Sequence, residues 1–112
     1  MAISVQDSGS TAMTLNTDIT LNAAITAAGV YQLHFDSNPL TGFDEILILI
    51  VTQKVLTGST ERQNDRIVMA RGTDDDKVKV DIPRTSEFSL TYKLRQEGGT
   101  ARTIDWRVDK LQ

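Results

Sequence analysis

Apolar and polar residues alternate along most of this chain, a pattern that predicts β-strands with one buried face and one wet face. None of the apolar clusters keeps the 3.6-residue spacing of an amphipathic helix. The run from Gly29 to Asp36 is an example, because its large apolar residues alternate with polar ones and turn residues follow at Ser37-Asn38-Pro39. Three further runs have the same period, at residues 78–82, 88–95 and 103–109.

The alternation also predicts which side chains reach the core. In the first of the three further runs, we expect Val78, Val80 and Ile82 on the dry face and the charged residues between them in water. In the last run, the same reasoning directs Trp106 into the core. Gly98-Gly99 separates the last two runs and supplies the positive-φ residues of a tight turn, so we predict that these runs form an antiparallel hairpin.

The segment Ile46–Val51 is apolar at every position, so both faces of this strand need cover. A parallel sheet would explain the pattern, but the chain lacks the helical crossovers that parallel strands use. We therefore predict a central strand with the core on one side and a second apolar layer on the other, formed by a loop, the N-terminal segment or another copy of the protein. Arg66–Arg71 is predicted to pair with it through the loop Thr57–Thr60.

Taken together, the runs predict one domain over residues 1–112, with residues 1–11 forming a mobile arm or an edge strand. The fold class is all-β, an antiparallel β-sandwich of seven to eight strands with jelly-roll or immunoglobulin-like topology. A closed barrel is the alternative, because the order of the strands is not encoded in their spacing.

Composition narrows the function. The chain has 112 residues, no cysteine, one histidine and a formal net charge of −3, which excludes thiolate chemistry and a multi-histidine metal site within one chain. The acidic balance argues against nucleic acid as a partner. The longest apolar run has six residues and the N-terminus lacks the pattern of a secretory signal, so we expect no membrane span. We accordingly expect a protein that is not an enzyme and uses no cofactor.

Two polar clusters invite a chemical interpretation. Asp74-Asp75-Asp76 offers oxygen ligands for calcium, but it lacks the alternating spacing and distal glutamate of a calcium loop, so a solvated turn is the favoured interpretation. His34 lies two residues from Asp36 and could form an acid–base pair. No nucleophile motif accompanies it, so an exposed or interfacial histidine is favoured. The sequence predicts no metal site and no catalytic residue.

Other charged and aromatic residues point to surfaces rather than catalysis. The acidic pairs Asp44-Glu45 and Asp105 with Asp109 could suggest a glycosidase, but solvated strand faces explain them as well. Phe43 is the single aromatic residue outside the apolar faces, so carbohydrate binding lacks an aromatic platform.

A candidate subunit or partner interface combines the two-faced strand with charges of the neighbouring run. Charges of both signs around that run suit the rim of a protein–protein interface, and they equally suit a solvated edge. The residues of this candidate interface are Ile46, Ile48, Ile50, Arg62 and Arg66.

Several segments from Gly29 onward resemble those of a known family. They are Gly29-Val30-Tyr31-Gln32-Leu33, Asp44 to Ile50, Val78 to Pro83 and Phe88 to Trp106. The most distinctive is Leu94-Arg95-Gln96-Glu97-Gly98-Gly99-Thr100, followed by a strand that bears tryptophan. Together they resemble small virion proteins of tailed bacteriophages, and their motifs are structural rather than catalytic.

The resemblance implies a virion component made in the host cytoplasm, namely a head decoration or cement protein on the capsid surface. Its partners would be the major capsid protein and further copies of itself, for example in a trimer. We therefore expect a non-enzymatic protein that stabilises the capsid by bridging coat subunits. The alternatives are a tail- or fibre-associated protein, a carbohydrate-binding β-sandwich module, or an accessory domain of an enzyme.

Overall fold

The computed structural model describes residues 3–111, and these residues form nine β-strands and no helix. Among them, no helix is long and apolar enough to cross a membrane. The strands are β1 (Ile3–Ala12), β2 (Asp18–Thr20), β3 (Gly29–Asp36), β4 (Ile46–Gln53), β5 (Arg62–Arg71), β6 (Val78–Val80), β7 (Arg84–Ser86), β8 (Leu90–Glu97) and β9 (Thr103–Leu111).

The strands form two antiparallel sheets packed as a sandwich. The five-stranded sheet has the order β1-β9-β3-β6, with β7 pairing beside β6 on β3, and the four-stranded sheet has the order β2-β8-β4-β5. Because β6 and β7 pair with successive parts of β3, they are two pieces of one interrupted edge strand.

Strand pairing is nested: β1 pairs with β9, β2 with β8, β3 with β6 and β7, and β4 with β5. This is the order of a jelly roll, and it differs from the immunoglobulin arrangement, in which one sheet combines the first, second, fifth and fourth strands. The predicted antiparallel sandwich is confirmed, and the closed-barrel alternative is wrong because the described strands divide into two sheets.

The core lies between the sheets and is built by the inward faces that the alternation predicted. Tyr31, Leu33 and Phe35 of β3 are at most 2% exposed, and Trp106 is buried as expected. The same cluster contains Leu47, Leu49, Val51, Leu90, Tyr92, Leu94, Ile104 and Val108.

β4 is the central strand that the sequence predicted, and it pairs with β5 over its whole length. Its second face holds Ile48 and Ile50, which are only 7% and 2% exposed. Directly opposite on that face stand Arg95 and Lys93 of β8 and Arg66 of β5. These long side chains stand beside the isoleucines in the register, so the neighbours on this face come from strands of the same sheet, and not from a loop, the N-terminal segment or another copy.

The N-terminal segment is an edge strand and not a mobile arm. Residues 3–11 belong to β1, which pairs antiparallel with β9 along its length apart from one register shift between Val5 and Asp7. Met1 and Ala2 lie outside the described residues. The sequence left a mobile arm and an edge strand open for residues 1–11, and the described part of this segment forms the edge strand.

The predicted hairpin between the last two long strands is wrong. β8 lies in the four-stranded sheet and β9 in the five-stranded sheet, so residues 98–102 cross from one sheet to the other. Gly98 and Gly99 have positive φ as predicted, +83° and +68°. The buried Gln96 directs the crossing, because its amide donates to the Thr100 carbonyl at 2.7 Å and accepts from the Arg102 N–H at 2.9 Å. β8 and β9 each have strand neighbours on both sides, which leaves no ladder for a hairpin.

The alternation at residues 78–82 predicted a strand correctly but assigned its faces wrongly. Val78 and Val80 are 65% and 47% exposed, whereas Asp81 is 4% exposed. Lys79 turns inward and its Nζ lies 2.9 Å from Asp74 Oδ2. Asp81 accepts two hydrogen bonds from the buried Arg84, at 2.6 and 3.0 Å. Because both charges find partners on the inner side, the apolar residues face solvent.

Candidate functional site

Exposed aliphatic side chains concentrate on the outer face of the five-stranded sheet, the side that points away from the core. Of the nine large hydrophobic side chains that are exposed in residues 3–111, five lie on or beside this face. Their exposed fractions are 61% for Ile3, 59% for Val5, 65% for Val78, 47% for Val80 and 63% for Ile82. The outer face of an antiparallel sandwich is normally polar, so this concentration makes the face the candidate interaction surface.

Strand register explains how the face is assembled. Val80 and Val78 of β6 stand opposite His34 and Asp36, which point outward because their neighbours on β3 fill the core. At the other side of the sheet, Ile3 of β1 stands opposite Leu111 of β9. The aliphatic residues thus form two flanks, one on each edge strand, with β9 and β3 between them.

The centre of the face is a polar cluster of three side chains. His34 Nε2 lies 3.2 Å from Asp109 Oδ2, and Arg107 Nε donates to both oxygens of Asp109 at 3.2 Å. The side chains of His34 and Asp109 are 17% and 8% exposed. The sequence suggested Asp36 as the neighbour of His34, but the carboxylate that His34 contacts comes from the adjacent strand.

The surroundings of His34 lower the pKa of its imidazole. Burial lowers the pKa of His34, Arg107 lowers it further, and Asp109 opposes both, with a net pKa below the ordinary value. The imidazole is therefore neutral at neutral pH, and the charges of Arg107 and Asp109 compensate each other. The cluster of His34, Arg107 and Asp109 therefore has no net charge, whereas Asp36 and Asp105 make the strip between the two apolar flanks acidic overall.

A shallow depression of about 270 Å³ lies at one end of this face. This volume is slightly below the 300–1,000 Å³ that small-molecule sites commonly span. It is lined by His34, Phe35, Asp36, Val78, Asp105, Trp106 and Arg107.

The five residues predicted as an interface do not form one surface in the structure. Ile48 and Ile50 are buried within the single chain, and Ile46 is half-buried. Arg66 is exposed and stands opposite Ile50, whereas Arg62 stands opposite Gln53 at the other end of β4 from Ile46. Their role in an interface remains a prediction.

Arg62 instead lines a second depression, of about 410 Å³, between the β4–β5 loop and β7. The other residues that line it are Gln53, Lys54, Val55, Gln63, Asn64, Thr85 and Glu87.

The acidic triplet lies in the turn between β5 and β6. Asp74 accepts from the Arg71 N–H and pairs with Lys79, and that lysine is the main cause of a lowered Asp74 pKa. Over residues 3–111, no group of three or more histidine, cysteine, aspartate or glutamate side chains is arranged to hold a metal ion. The turn interpretation is thus consistent with the contacts of Asp74.

Glu45 of the predicted acidic pair holds two loops together, the β3–β4 loop and the β8–β9 connection. It is 1% exposed and accepts from the N–H groups of Thr41, Gly42 and Thr100 at 2.8, 2.6 and 3.1 Å. Arg102 adds two bonds, from Nε at 2.9 Å and Nη2 at 3.1 Å. The Arg102 bond is the main reason that the pKa of Glu45 falls to about 2, with burial opposing it and the backbone N–H groups reinforcing it. The contacts of this carboxylate stabilise the fold.

Sequence reasoning missed the outer face although its pattern was present. The period of two at residues 78–82 fits either face, and the deciding contacts are Lys79 with Asp74 and Asp81 with Arg84. Such pairs depend on how the chain folds and leave no local signature. In β1, the spacing of Ile3 and Val5 was the available signal, because the two residues alternate with polar neighbours.

These features define an all-β, jelly-roll protein whose most distinctive surface is an apolar-flanked sheet face. Comparison of the chain with protein-family models, with curated proteins and with solved structures gives no match.

Proposed function

We propose that this chain is a non-enzymatic virion structural protein that decorates the capsid surface and stabilises it by bridging coat subunits. The observation that carries the proposal is the outer face, where four exposed aliphatic residues lie on strands β1 and β6 and a fifth, Ile82, follows β6. The jelly roll is common among viral capsid proteins, which supports the virion setting by analogy of fold. The resemblance of the segments from Gly29 onward to tailed-phage virion proteins supports it further.

The two apolar flanks fit a bridging role. Each flank is small and lies on a different edge strand, so each would bind weakly alone. Held on one rigid sheet, the two contacts act together, and their joint affinity exceeds that of either. The major capsid protein is the proposed partner, and the chain would assemble on shells after synthesis in the host cytoplasm.

Co-sedimentation with phage shells, expanded and unexpanded, tests this function. We expect the unaltered chain to pellet with shells and the double variant Val78→Ser, Val80→Ser to stay in the supernatant. The matched control is Val55→Ser, Leu56→Ser, because these residues are similarly exposed, at 80% and 64%, but lie in the β4–β5 loop. An unaltered chain that ignores shells would refute the function, and equal pelleting of both variants would refute the role of the face.

A tail-associated or carbohydrate-binding module is the second candidate, and Phe43 favours it. This aromatic side chain is 84% exposed, and the Glu45 carboxylate fixes the backbone of the adjacent Gly42. An exposed aromatic ring on a fixed loop can stack on a sugar ring. A bound glycan should raise the free energy of unfolding by about 2.7 kcal/mol at a hundred times its dissociation constant, and Phe43→Ala should remove that gain.

A further inference from the structure

The four edges of the two sheets differ in how well they resist pairing with another strand. β2 has three residues, and β6 and β7 are three-residue pieces separated by a segment that contains Pro83. β5 has ten residues, but two register shifts interrupt it and it carries four charged side chains. Short strands, proline, bulges and charges are the usual protections of sheet edges.

β1 lacks most of these protections. It has ten residues with a single charged side chain, Asp7, and eight of its residues are exposed. Its register with β9 is regular from Asp7 to Ala12. Within residues 3–111, β9 is the strand that pairs with β1, which leaves the other side of β1 open.

The direction of the backbone groups identifies the open positions. The Met13 N–H donates to the Arg102 carbonyl on the β9 side at 2.8 Å. Because the lateral direction of N–H and C=O groups alternates along a strand, the groups of Ser8, Ser10 and Ala12 point away from β9. The Ser8 N–H agrees with this assignment, since it donates to the side chain of Asp7 at 2.9 Å instead of to β9.

Contacts with Trp106 fix the backbone of the strand segment that carries these open groups. Trp106 Nε1 donates to Thr11 Oγ1 at 2.8 Å. Gly9 lies against the indole, and a Cβ there would come within 3.2 Å of the ring. The segment 8–12 is therefore fixed as an extended template, and a second strand can pair with it at a small ordering cost.

We propose that β1 pairs antiparallel with β1 of a second copy of this chain, around a two-fold axis at Ser10. This register places Ser10 opposite Ser10 of the second copy and Ser8 opposite Ala12 of the second copy, so all the open groups face partners. It places Asp7 opposite residue 13 of the second copy, which separates the two carboxylates. Asp7 releases the Ser8 N–H when the strands pair.

The opposite edge of the five-stranded sheet explains why we expect β1 to pair with β1 of the second copy. It also explains why the assembly should stop at a dimer. An open chain of copies would require β1 to pair with the opposite edge of the next sheet. That edge is the interrupted pair β6 and β7, and its two pieces have three residues each. A two-fold contact of β1 with itself uses the one long regular edge twice and closes the assembly.

Light scattering and sedimentation over a concentration series test the inference on the purified chain. We expect a mass of twice 12.4 kDa that falls toward a single chain on dilution. Ser10→Pro should weaken the association by about a hundredfold, because it removes an open N–H from both copies. Since that N–H faces away from β9, the variant should keep its fold. Ser10→Ala is the matched control: both variants lose the hydroxyl bond to Asp105, but alanine keeps the N–H and should remain a dimer.

Amide hydrogen exchange gives a second readout on the unaltered chain. The amides of Ser10 and Ala12 should be protected in concentrated solution and exchange faster on dilution, whereas core amides should not change. A chain that is monomeric at all concentrations, a discrete trimer, or a Ser10→Pro dimer as tight as the unaltered one would overturn the proposal. If Ser10→Pro fails to fold, the unaltered chain decides the question. Amide exchange rates at Ser10 and Ala12 that do not change with concentration would overturn the proposal. None of these readouts requires phage shells, so they are separate from the test of the proposed function.

Discussion

Replacing Glu45 by glutamine tests how much one buried carboxylate contributes to the stability of the fold. The carboxylate accepts from the N–H groups of Thr41, Gly42 and Thr100 and from two nitrogens of Arg102. A glutamine has similar shape but no charge, and its amide nitrogen is a donor. Since the partners of the replaced oxygen are all donors, the variant leaves unpaired donors in a buried site and an Arg102 without its counter-ion.

The size of the effect follows from the pKa. The folded protein lowers the pKa of Glu45 from its ordinary value of 4.5 to about 2. At 1.36 kcal/mol per unit, the charged form contributes about 3 kcal/mol to the free energy of unfolding. Because the folded pKa is the lower one, this contribution is complete above pH 4.5 and declines as the pH falls toward 2. A domain of this size has a total stability of about 5–15 kcal/mol, so the loss is easily measured.

Urea unfolding at pH 7 and pH 3 provides the assay. We expect Glu45→Gln to lose about 3 kcal/mol at pH 7 and clearly less at pH 3, where the unaltered protein has begun to lose the same contribution. Glu87→Gln is the control, because Glu87 is exposed and should change stability by less than about 0.5 kcal/mol. A loss below 1 kcal/mol at pH 7, or a loss equal at the two pH values, would refute the reasoning.

Three other substitutions have outcomes that thermal or urea unfolding can check. Gly98→Ala should destabilise the fold by more than about 1 kcal/mol, because its φ is +83° and a Cβ would overlap the carbonyl oxygen of Asp44. Gly58→Ala is the control and should cost less than about 0.5 kcal/mol, because no atom lies near its added Cβ. Asp81→Asn should cost about 1–3 kcal/mol, because it removes the buried one of the two carboxylates that pair with Arg84, whereas Asp65 stays 3.0 Å from Nη2; a loss under about 0.5 kcal/mol would contradict that role. Ile48→Asp should prevent folding or assembly, since it places an unpaired charge at a 7% exposed position, and a stable product would show that this face of β4 is not buried.

Strand periodicity predicted the centre of both sheets. β3 and β9 follow the predicted alternation, with Tyr31, Leu33, Phe35 and Trp106 in the core. β4 was predicted as central because both of its faces are apolar, and it lies between β8 and β5. These strands could be predicted because strands on both sides hold them, so burial follows from their own residues.

The edge strand β6 shows where that reasoning fails. Its residues have the right period, but a period of two has two phases, and the choice between them depends on partners elsewhere in the chain. Asp74 and Arg84 neutralise Lys79 and Asp81 on the inner side, and the valines turn outward as a result. Because the valines of β6 face solvent, they form one flank of the candidate site. The sequence placed them in the core, and so the predicted interface was centred on the isoleucines of β4 instead.

The prediction of a hairpin between β8 and β9 was wrong for a different reason. Gly98-Gly99 has the positive φ values of a hairpin turn, and such a dipeptide is one of the strongest local hairpin signals. The turn nevertheless joins two sheets, because the side chains of Gln96 and Glu45 capture the loop that follows it. A buried glutamine and a buried glutamate are rare enough that composition gives no reason to expect either.

The edge contact and the outer face are geometrically compatible. An antiparallel pairing of two β1 strands continues the sheet, and residues directly opposite each other project to the same side. Both outer faces of the dimer would then point in one direction, as a double-width surface with four apolar flanks. One coat subunit on each half would be bridged by the strand pairing itself. If both proposals hold, Ser10→Pro should weaken shell binding more than Ser10→Ala does, although both variants leave the two apolar flanks unchanged, because each Ser10→Pro monomer binds with half the contacts.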